Sequence, residues 1–421
     1  MSRNAVITGI GFITSIGNSR ADVVESLRSL RPGLERVEFL GNPNLPVKVA
    51  GAIRGFRTDS PHWRDWTYPA EYRPPRELLR SISPHGLYAF CAVEQALADA
   101  GLDRDSLCDG ATGLYCASAG SAFFLHYHLA QMHAVHGERG NPMGLVASIA
   151  GTLNFNLAAH YGIRGAVGGF AAACASSSHA LGCALDDIRL GRQDRMIVVG
   201  AEEVNAESVL PFAAMRVLTP NPDPQAASRP FDRARDGFVV SGGAACLIIE
   251  EAGAARRRGS PGYAEMAGWG QAADGHNVAV SHPEGAGLAE AMRRALADAG
   301  MNASEVAYVN AHATSTLAGD RSEALALRKI FPAGGGPRVS STKGLTGHPL
   351  SMSGAMEAGF CALALRDGFV PGNANLADPD ESCEGLDLPR QTVDSAPNTA
   401  MNNSSGFGGS NICHVLRSIP R

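Results

Sequence analysis

The chain reads as an α/β protein, and three features lead there. Short β-rich runs alternate with segments of helical period along most of its 421 residues. Only 18% of residues are charged against 45% hydrophobic, and the 49 glycines sit among many alanines. Such alternation builds sheets with helices on their faces, and the pattern predicts strands that run largely parallel.

The predicted strands, in order, are Ala5–Thr8, Gly113–Cys116, Met196–Val199, Cys246–Glu250, Ala307–Asn310, Arg338–Ser340, Thr399–Asn402 and Ile412–Leu416. The predicted helices are Asp22–Leu30, Pro84–Ala100, Ser177–Leu190, Gly287–Ala299, Arg321–Ile330 and Met352–Arg366. In the third, Leu181, Leu185 and Ile188 recur at i, i+4 and i+7, Arg189 occupies the last turn and Gly191 is placed to cap. Prolines at 43, 46, 61, 69, 74 and 75 mark 41–76 as an irregular excursion.

A faint internal echo divides the chain. Cys174 opens a helix ending Ile-Arg-Leu-Gly (188–191), and a strand follows. Later, Gly-Leu-Thr-Gly-His-Pro (344–349) leads into a helix ending Leu-Arg-Asp-Gly (365–368), again with a strand beyond. Duplication of this kind predicts two similar α/β halves, 1–251 and 252–421, joined by a connector at 251–262.

Composition narrows the function. A net charge of −5 excludes a general nucleic-acid binder, and no apolar run approaches the eighteen or so residues of a membrane span. The first nine residues carry too little charge and apolar length for a signal peptide. Nine cysteines, an odd number with no Cys-x-x-Cys pair, fit a reducing cytoplasm rather than a disulfide framework.

One thiol stands out. Cys174 lies in Gly-Gly-Phe-Ala-Ala-Ala-Cys-Ala-Ser-Ser-Ser-His (168–179), where small residues lead directly into a helix. A helix N-terminus presents unpaired N–H groups and a favourable dipole for an anion. That position predicts a thiol pKa lowered from about 8.5 towards roughly 3.5–7.5.

Three further segments frame reactive side chains with small residues: Asn-Ala-His-Ala-Thr-Ser-Thr (310–316), Ser-Thr-Lys-Gly-Leu-Thr-Gly-His-Pro (341–349) and Ser-Ser-Gly-Phe-Gly-Gly-Ser-Asn (404–411). Taken singly, each histidine can cap a strand or sit in a turn, and each glycine can serve a tight turn. Taken with Cys174, they form a Cys–His–His site.

With these motifs in order, the chain resembles, end to end, the chain-elongating β-ketoacyl-acyl-carrier-protein synthases. The opening Val-Ile-Thr-Gly-Ile-Gly (6–11) and Arg-Pro-Phe-Asp-Arg-Ala-Arg-Asp-Gly-Phe-Val (229–239) belong to the same resemblance. Ser-Gly-Gly-Ala-Ala (241–245) is more like synthase I than synthase II. The resemblance implies the thiolase fold, two similar α/β halves stacked as five layers, αβαβα. It implies Cys174 as acyl acceptor, His312 and His348 as the paired histidines, and Lys343 as the accompanying lysine, held protonated by Glu323. Asp320 is a second supporting acid, and Phe407 is a mobile gate. The backbone N–H groups of Cys174 and Phe407 form the oxyanion hole. Thr314 and Thr316 line the phosphopantetheine tunnel, with Gly408 beside them, and Gly120 leaves room for the acyl chain.

The implied reaction is a decarboxylative condensation of a Cys-bound acyl group with malonyl carrier in fatty-acid synthesis. It needs no metal or organic cofactor beyond the carrier's phosphopantetheine. The implied partners are the acyl carrier protein and a second copy of the chain. Two alternatives are a polyketide or aryl-polyene ketosynthase and a non-catalytic chain-length factor. Ala172, Ala313 and Leu317 depart from the residues common in the family, which leaves the reacting groups in place. The segment 120–136 carries four histidines without an interleaved acid or cysteine, so it reads as an amphipathic helix rather than a metal site. Cys413, within a β-like run, reads as a packing residue.

Overall fold

A computed structural model describes residues 3–331 and 334–420. Among the described residues ten strands build the main sheet, apart from a small two-stranded ribbon at Glu35–Arg36 and Val49–Ala50: β1 (Ala5–Thr14), β2 (Thr112–Ala117), β3 (Val167–Phe170), β4 (Arg195–Glu202), β5 (Gly243–Glu251), β6 (Ala264–Ala273), β7 (Tyr308–Asn310), β8 (Arg338–Ser340), β9 (Thr399–Gly406) and β10 (Ser410–Ser418). Six helices pack on them: α1 (Pro84–Ala100), α2 (Thr152–Tyr161), α3 (Ser176–Arg189), α4 (Ala286–Ala299), α5 (Leu317–Ile330) and α6 (Ser353–Asp367).

The echo in the sequence is a repeat of topology. The first five strands lie in the order β3-β2-β4-β5-β1 and the second five in the order β8-β7-β9-β10-β6. Each strand of one half therefore has a counterpart five numbers later in the other. Antiparallel pairing of Ala5–Ile7 with Ala264–Met266 joins β1 to β6. α1 and α4 are counterparts, as are α2 and α5, and α3 and α6.

Period-two alternation assigns the layers. On β4, Met196 and Val198 face the central core, whereas Ile197, Val199 and Ala201 face outward. On β5, Ala245, Leu247 and Ile249 face inward, and Ala244, Cys246 and Ile248 pack with α1. α3 and α6 fill the central core through Ala180, Leu181, Leu185, Met356, Phe360 and Leu363. On the far side, Val309, Met401, Cys413 and Val415 pack with α4 and α5, so Cys413 is buried in this outer core. The result is five layers, αβαβα, with α3 and α6 in the middle.

The strands are not largely parallel. In each half two pairings are parallel and two antiparallel, because the last two strands of each half run against their neighbours. In the second half the reason is local: β9 and β10 are joined by the short turn Phe407–Gly409, which can only close a hairpin. Two strands escape the sequence pattern. β3 is Val-Gly-Gly-Phe, with no apolar run, and β6 is interrupted by Gly268 and Gly270. Helix α5 begins at Leu317 rather than Arg321, and the connector after β5 contains a short helix, Ala252–Arg257, capped by Glu251. No helix among the described residues is long and apolar enough to cross a membrane.

Candidate active site

The two central helices start side by side. Ser177 Oγ accepts the Ala355 N–H at 3.0 Å, and Ser178 and Ser404 hydroxyls meet at 2.7 Å. Cys174 precedes α3 and His348 precedes α6, so the repeat brings a thiol and an imidazole to one place. His312 arrives from the end of β7, and the β9–β10 turn closes over them. One cavity of about 190 Å³ is lined by Cys174, His312, His348, Thr314, Thr316 and Phe407.

Cys174 stands just before Ala175, the N-cap of α3, rather than within its first turn. Ala173 beside it has a φ of +48°, Ser315 a φ of +75° and Leu350 a φ of +47°. Left-handed backbone at non-glycine residues costs on the order of 1–3 kcal/mol each and persists where surrounding structure enforces it. All three lie within two residues of Cys174, Thr314, Thr316 or His348. Gly406 is pressed against the Cys174 turn: a Cβ there would lie 2.5 Å from the Ala172 carbonyl oxygen and 3.1 Å from the Cys174 nitrogen. Only glycine lets the β9–β10 turn bring its backbone so close to the Cys174 N–H.

The expected lowering of the thiol pKa is not what the structure holds. Burial pushes the Cys174 thiol up to about 12, with Lys343 pulling the other way. The helix end therefore acts against a larger desolvation cost, and the resting sulfur keeps its proton.

His312 and His348 are both buried, with ring centroids 5.2 Å apart and planes at 86°. Burial, then the charge of Lys343, holds both well below the usual histidine range, so both rings are neutral. His348 Nδ1 lies 3.2 Å from Ser353 Oγ, whereas His312 Nδ1 has no partner among the described residues. Phe238 meets the His348 ring edge to face at 5.4 Å.

The partner of Lys343 is Glu357, not Glu323. Lys343 Nζ donates to Glu357 Oε1 at 2.5 Å, and neither side chain reaches solvent. Burial lifts the Glu357 carboxyl to about 7 against the pull of Lys343. Glu323 instead accepts the backbone N–H groups of His312 (3.0 Å) and Ala313 (2.6 Å) and the Asn403 amide (3.1 Å). It braces the His312 loop. Asp320 does likewise for the next turn, accepting from Ser315 N and Phe231 N and lying 3.7 Å from Arg235.

Thr314 and Thr316 hydroxyls are 3.1 Å apart on the cavity wall. Phe407 is 38% exposed at the mouth, its ring 6.4 Å from that of Phe212. Gly408 and Gly120 are not among the residues lining this cavity. Gly408 donates its N–H to the Val278 carbonyl, which ties the turn to the 274–282 loop. Gly120 has a φ of +82°, and a Cβ there would strike Ser148 O at 2.6 Å, so backbone geometry accounts for the glycine. The histidine-rich segment forms the helix Ala122–Ala134, capped by Ser121, with Phe124 and His128 buried.

Comparison with known proteins decides the family. The β-ketoacyl synthase N-terminal domain matches residues 2–255 and the C-terminal domain matches residues 263–377. The chain belongs to the β-ketoacyl synthase family. It is 36% identical over 99% of both chains to 3-oxoacyl-acyl-carrier-protein synthase 1 of Haemophilus influenzae. It is 34% identical, again over 99% of both chains, to the synthase 1 of Escherichia coli strain K12. Among solved structures, a β-ketoacyl synthase from Burkholderia phymatum matches with a TM-score of 0.90 and 31% identity, covering 100% of both chains. The β-ketoacyl synthase reading accounts for a thiol and two neutral imidazoles in one cavity. Glu357, Ser353 and Glu202 are parts of this synthase that the motifs did not announce. A carboxylate inside the otherwise apolar run Ala355–Leu365 was the available signal for Glu357, and the acids closing the buried strand β4 were the signal for Glu202.

Proposed function

We propose that this synthase joins an acyl group held on Cys174 to a malonyl unit delivered by an acyl carrier protein, releasing 3-oxoacyl carrier and carbon dioxide. The observation that carries the reading is the single cavity gathering Cys174 with two neutral histidines while Glu357 holds the lysine. In the first step the Cys174 sulfur attacks an acyl thioester, its proton passes to the departing carrier thiol, and an acyl-Cys174 thioester forms. The oxyanion of that step is met by the N–H groups of Cys174 and Phe407, consistent with the close approach at Gly406.

In the second step malonyl carrier loses carbon dioxide, and negative charge develops on its thioester oxygen. Neutral imidazoles suit this role because each offers one N–H donor without a formal charge that would hold the malonyl carboxylate in place. The carbanion attacks the acyl carbonyl, the carbon–sulfur bond to Cys174 breaks, a chain two carbons longer leaves on the carrier, and the Cys174 thiolate takes a proton from water to restore the resting thiol. Phosphopantetheine supplies the thioesters; the reading invokes no metal or other cofactor.

For the partners, Arg64, Arg76, Arg80 and Arg139 line one cleft beside Trp63 and Tyr127, and no carboxylate lines it. Such a surface suits the acidic face of a carrier. A homodimer is proposed from β3, an edge strand with Val167 42% exposed, and from the exposed apolar residues Leu125, Leu129, Ile149 and Phe155 in the segments before it. A cytoplasmic setting is proposed from nine free cysteines.

The test is acylation with a panel of acyl carriers, mass analysis of the Cys174 adduct, and product analysis after addition of malonyl carrier. Cys174→Ala should be folded and inactive in condensation; full condensing activity in that variant overturns the reading. Product masses separate fatty-acid from polyketide chemistry, and sedimentation at micromolar concentration tests the dimer.

A further inference from the structure

We propose that Ser353 is a positioning residue that holds His348 as the tautomer with its proton on Nε2. This rests on the reading above, in which His348 donates to the malonyl-derived enolate.

The two rings that share the cavity are not supported alike. His312 Nδ1 is buried with no partner among the described residues, but His348 Nδ1 lies 3.2 Å from Ser353 Oγ at the first residue of α6. Ser353 is itself fully buried, and among the described residues its hydroxyl has no other partner. Two arrangements fit that distance. If Nδ1 carried the proton and donated to Oγ, the serine hydroxyl proton would be left in a closed site without an acceptor. If Oγ–H donates to the Nδ1 lone pair, both groups are satisfied and the ring proton is placed on Nε2. The second arrangement wins because it leaves no buried donor unmet.

The turn that carries Ser353 is fixed from the other side. Ser351 donates its hydroxyl to Glu202 Oε1, the buried carboxylate at the end of β4, and that same oxygen accepts the Ala119 N–H at 3.0 Å. The His348 backbone N–H donates to the Val239 carbonyl at 2.7 Å. With 348–353 tied down at His348 and Ser351, Ser353 reaches the ring from a fixed point, and the direction of its hydroxyl decides whether Nε2 is a donor.

The experiment compares Ser353→Ala and Ser353→Thr with the parent in the full-length protein. Nitrogen-15 chemical shifts of His348, assigned with His348→Gln, report the tautomer without any turnover. Malonyl-carrier decarboxylation and acyl transfer to Cys174 are measured separately. The parent should show one tautomer with the proton on Nε2. Ser353→Ala should show a mixture, lose about 3- to 10-fold in kcat for decarboxylation with KM unchanged, and keep acyl transfer. Ser353→Thr, which retains the hydroxyl, should restore both the single tautomer and the rate. An unchanged tautomer in Ser353→Ala overturns the proposal. A mixed tautomer with an unchanged decarboxylation rate overturns a positioning role in the reaction, and it counts against His348 as the enolate donor while leaving the Cys174 assignment standing.

Discussion

His312 and His348 meet edge to face, 5.2 Å between ring centroids, with the charge of Lys343 acting on both. A proton placed on either ring would be buried, next to a lysine charge and, for His312, next to the other ring. Each of these effects opposes protonation, so the pair resists acid far below the ordinary histidine value of about 6.5.

The decarboxylation half-reaction should therefore stay flat from neutral pH to well below 6.5. The same shift has a sign for folding. As pH falls below about 6.5 the unfolded chain takes up protons on these histidines and the folded chain does not, so stability declines with acid. An acid limb centred near 6.5 that persists in Glu357→Gln and Glu202→Gln would show that these rings titrate as ordinary histidines and are not held neutral by burial and Lys343. His312→Ala and His348→Ala should each retain acyl transfer to Cys174 and lose decarboxylation by about 10²-fold or more, as for removal of an oxyanion donor.

Lys343 and Glu357 form a pair with no access to water, and the consequence is asymmetric. Lys343→Met leaves a buried carboxylate alone and should cost about 3–5 kcal/mol near pH 8, read by denaturant unfolding. Lys343→Met combined with Glu357→Gln should recover part of that loss. Removing the lysine charge also relieves both histidines, so the acid limb of decarboxylation should move up towards 6.5. A double variant less stable than the single one would show that the pair is not what holds this region.

Glu202 shares a pH signature with Glu203, Asp320 and Glu357, whose carboxyls burial also raises to about 7. Burial raises its carboxyl from 4.5 to about 7. Between those values the folded protein binds more protons than the unfolded chain, so its contribution to stability falls as pH rises from about 4.5 to 7. The full effect is about 3 kcal/mol for a shift of this size. Glu202→Gln removes one of these ionisations and should reduce that slope, measured by urea unfolding at pH 5 and pH 8. Equal slopes in parent and variant would place the titration elsewhere.

The arginine cleft gives a test of carrier recognition. Arg80→Glu should raise KM for malonyl carrier about 10-fold, most strongly at low salt, and leave acylation by a small soluble thioester unchanged. Equal loss with both substrates would show damage to the site rather than to docking.

How much of this was readable beforehand depended on chain locality. Cys174, His312, His348, Thr314, Thr316 and Phe407 each sit in a short motif framed by small residues, because a backbone that must approach the reacting atoms leaves no room for larger ones. The partner of Lys343 was misread because Glu357 is fourteen residues away on a helix buried on every side, and only packing reveals which acid reaches the lysine. The thiol pKa was misread because helix-end polarity is visible in sequence, whereas desolvation depends on what folds over the sulfur. The repeat of strand order was visible only as an echo at α3 and α6, since β3 and β6 carry glycines where a sequence pattern needs apolar side chains.

Gly120 separates a specificity role from a backbone role. Were it the open side of an acyl tunnel, a larger side chain would penalise long primers more than short ones. Its surroundings argue otherwise. The φ of +82° disfavours any L side chain, and a Cβ would lie 2.6 Å from Ser148 O and 2.9 Å from Ala150 N, both backbone atoms that cannot rotate away. Its own N–H donates to the Ser118 hydroxyl, and the neighbouring Ala119 N–H donates to Glu202, so a shift here propagates to the tether of the His348 turn. Gly120→Ala should therefore destabilise the fold by about 1–3 kcal/mol from strain alone, and Gly120→Ile by more. Turnover of C4 to C14 primers should fall by a common factor in both variants. A melt unchanged by Gly120→Ala, together with losses that grow with primer length, would show that Gly120 serves the acyl tunnel and not the backbone turn.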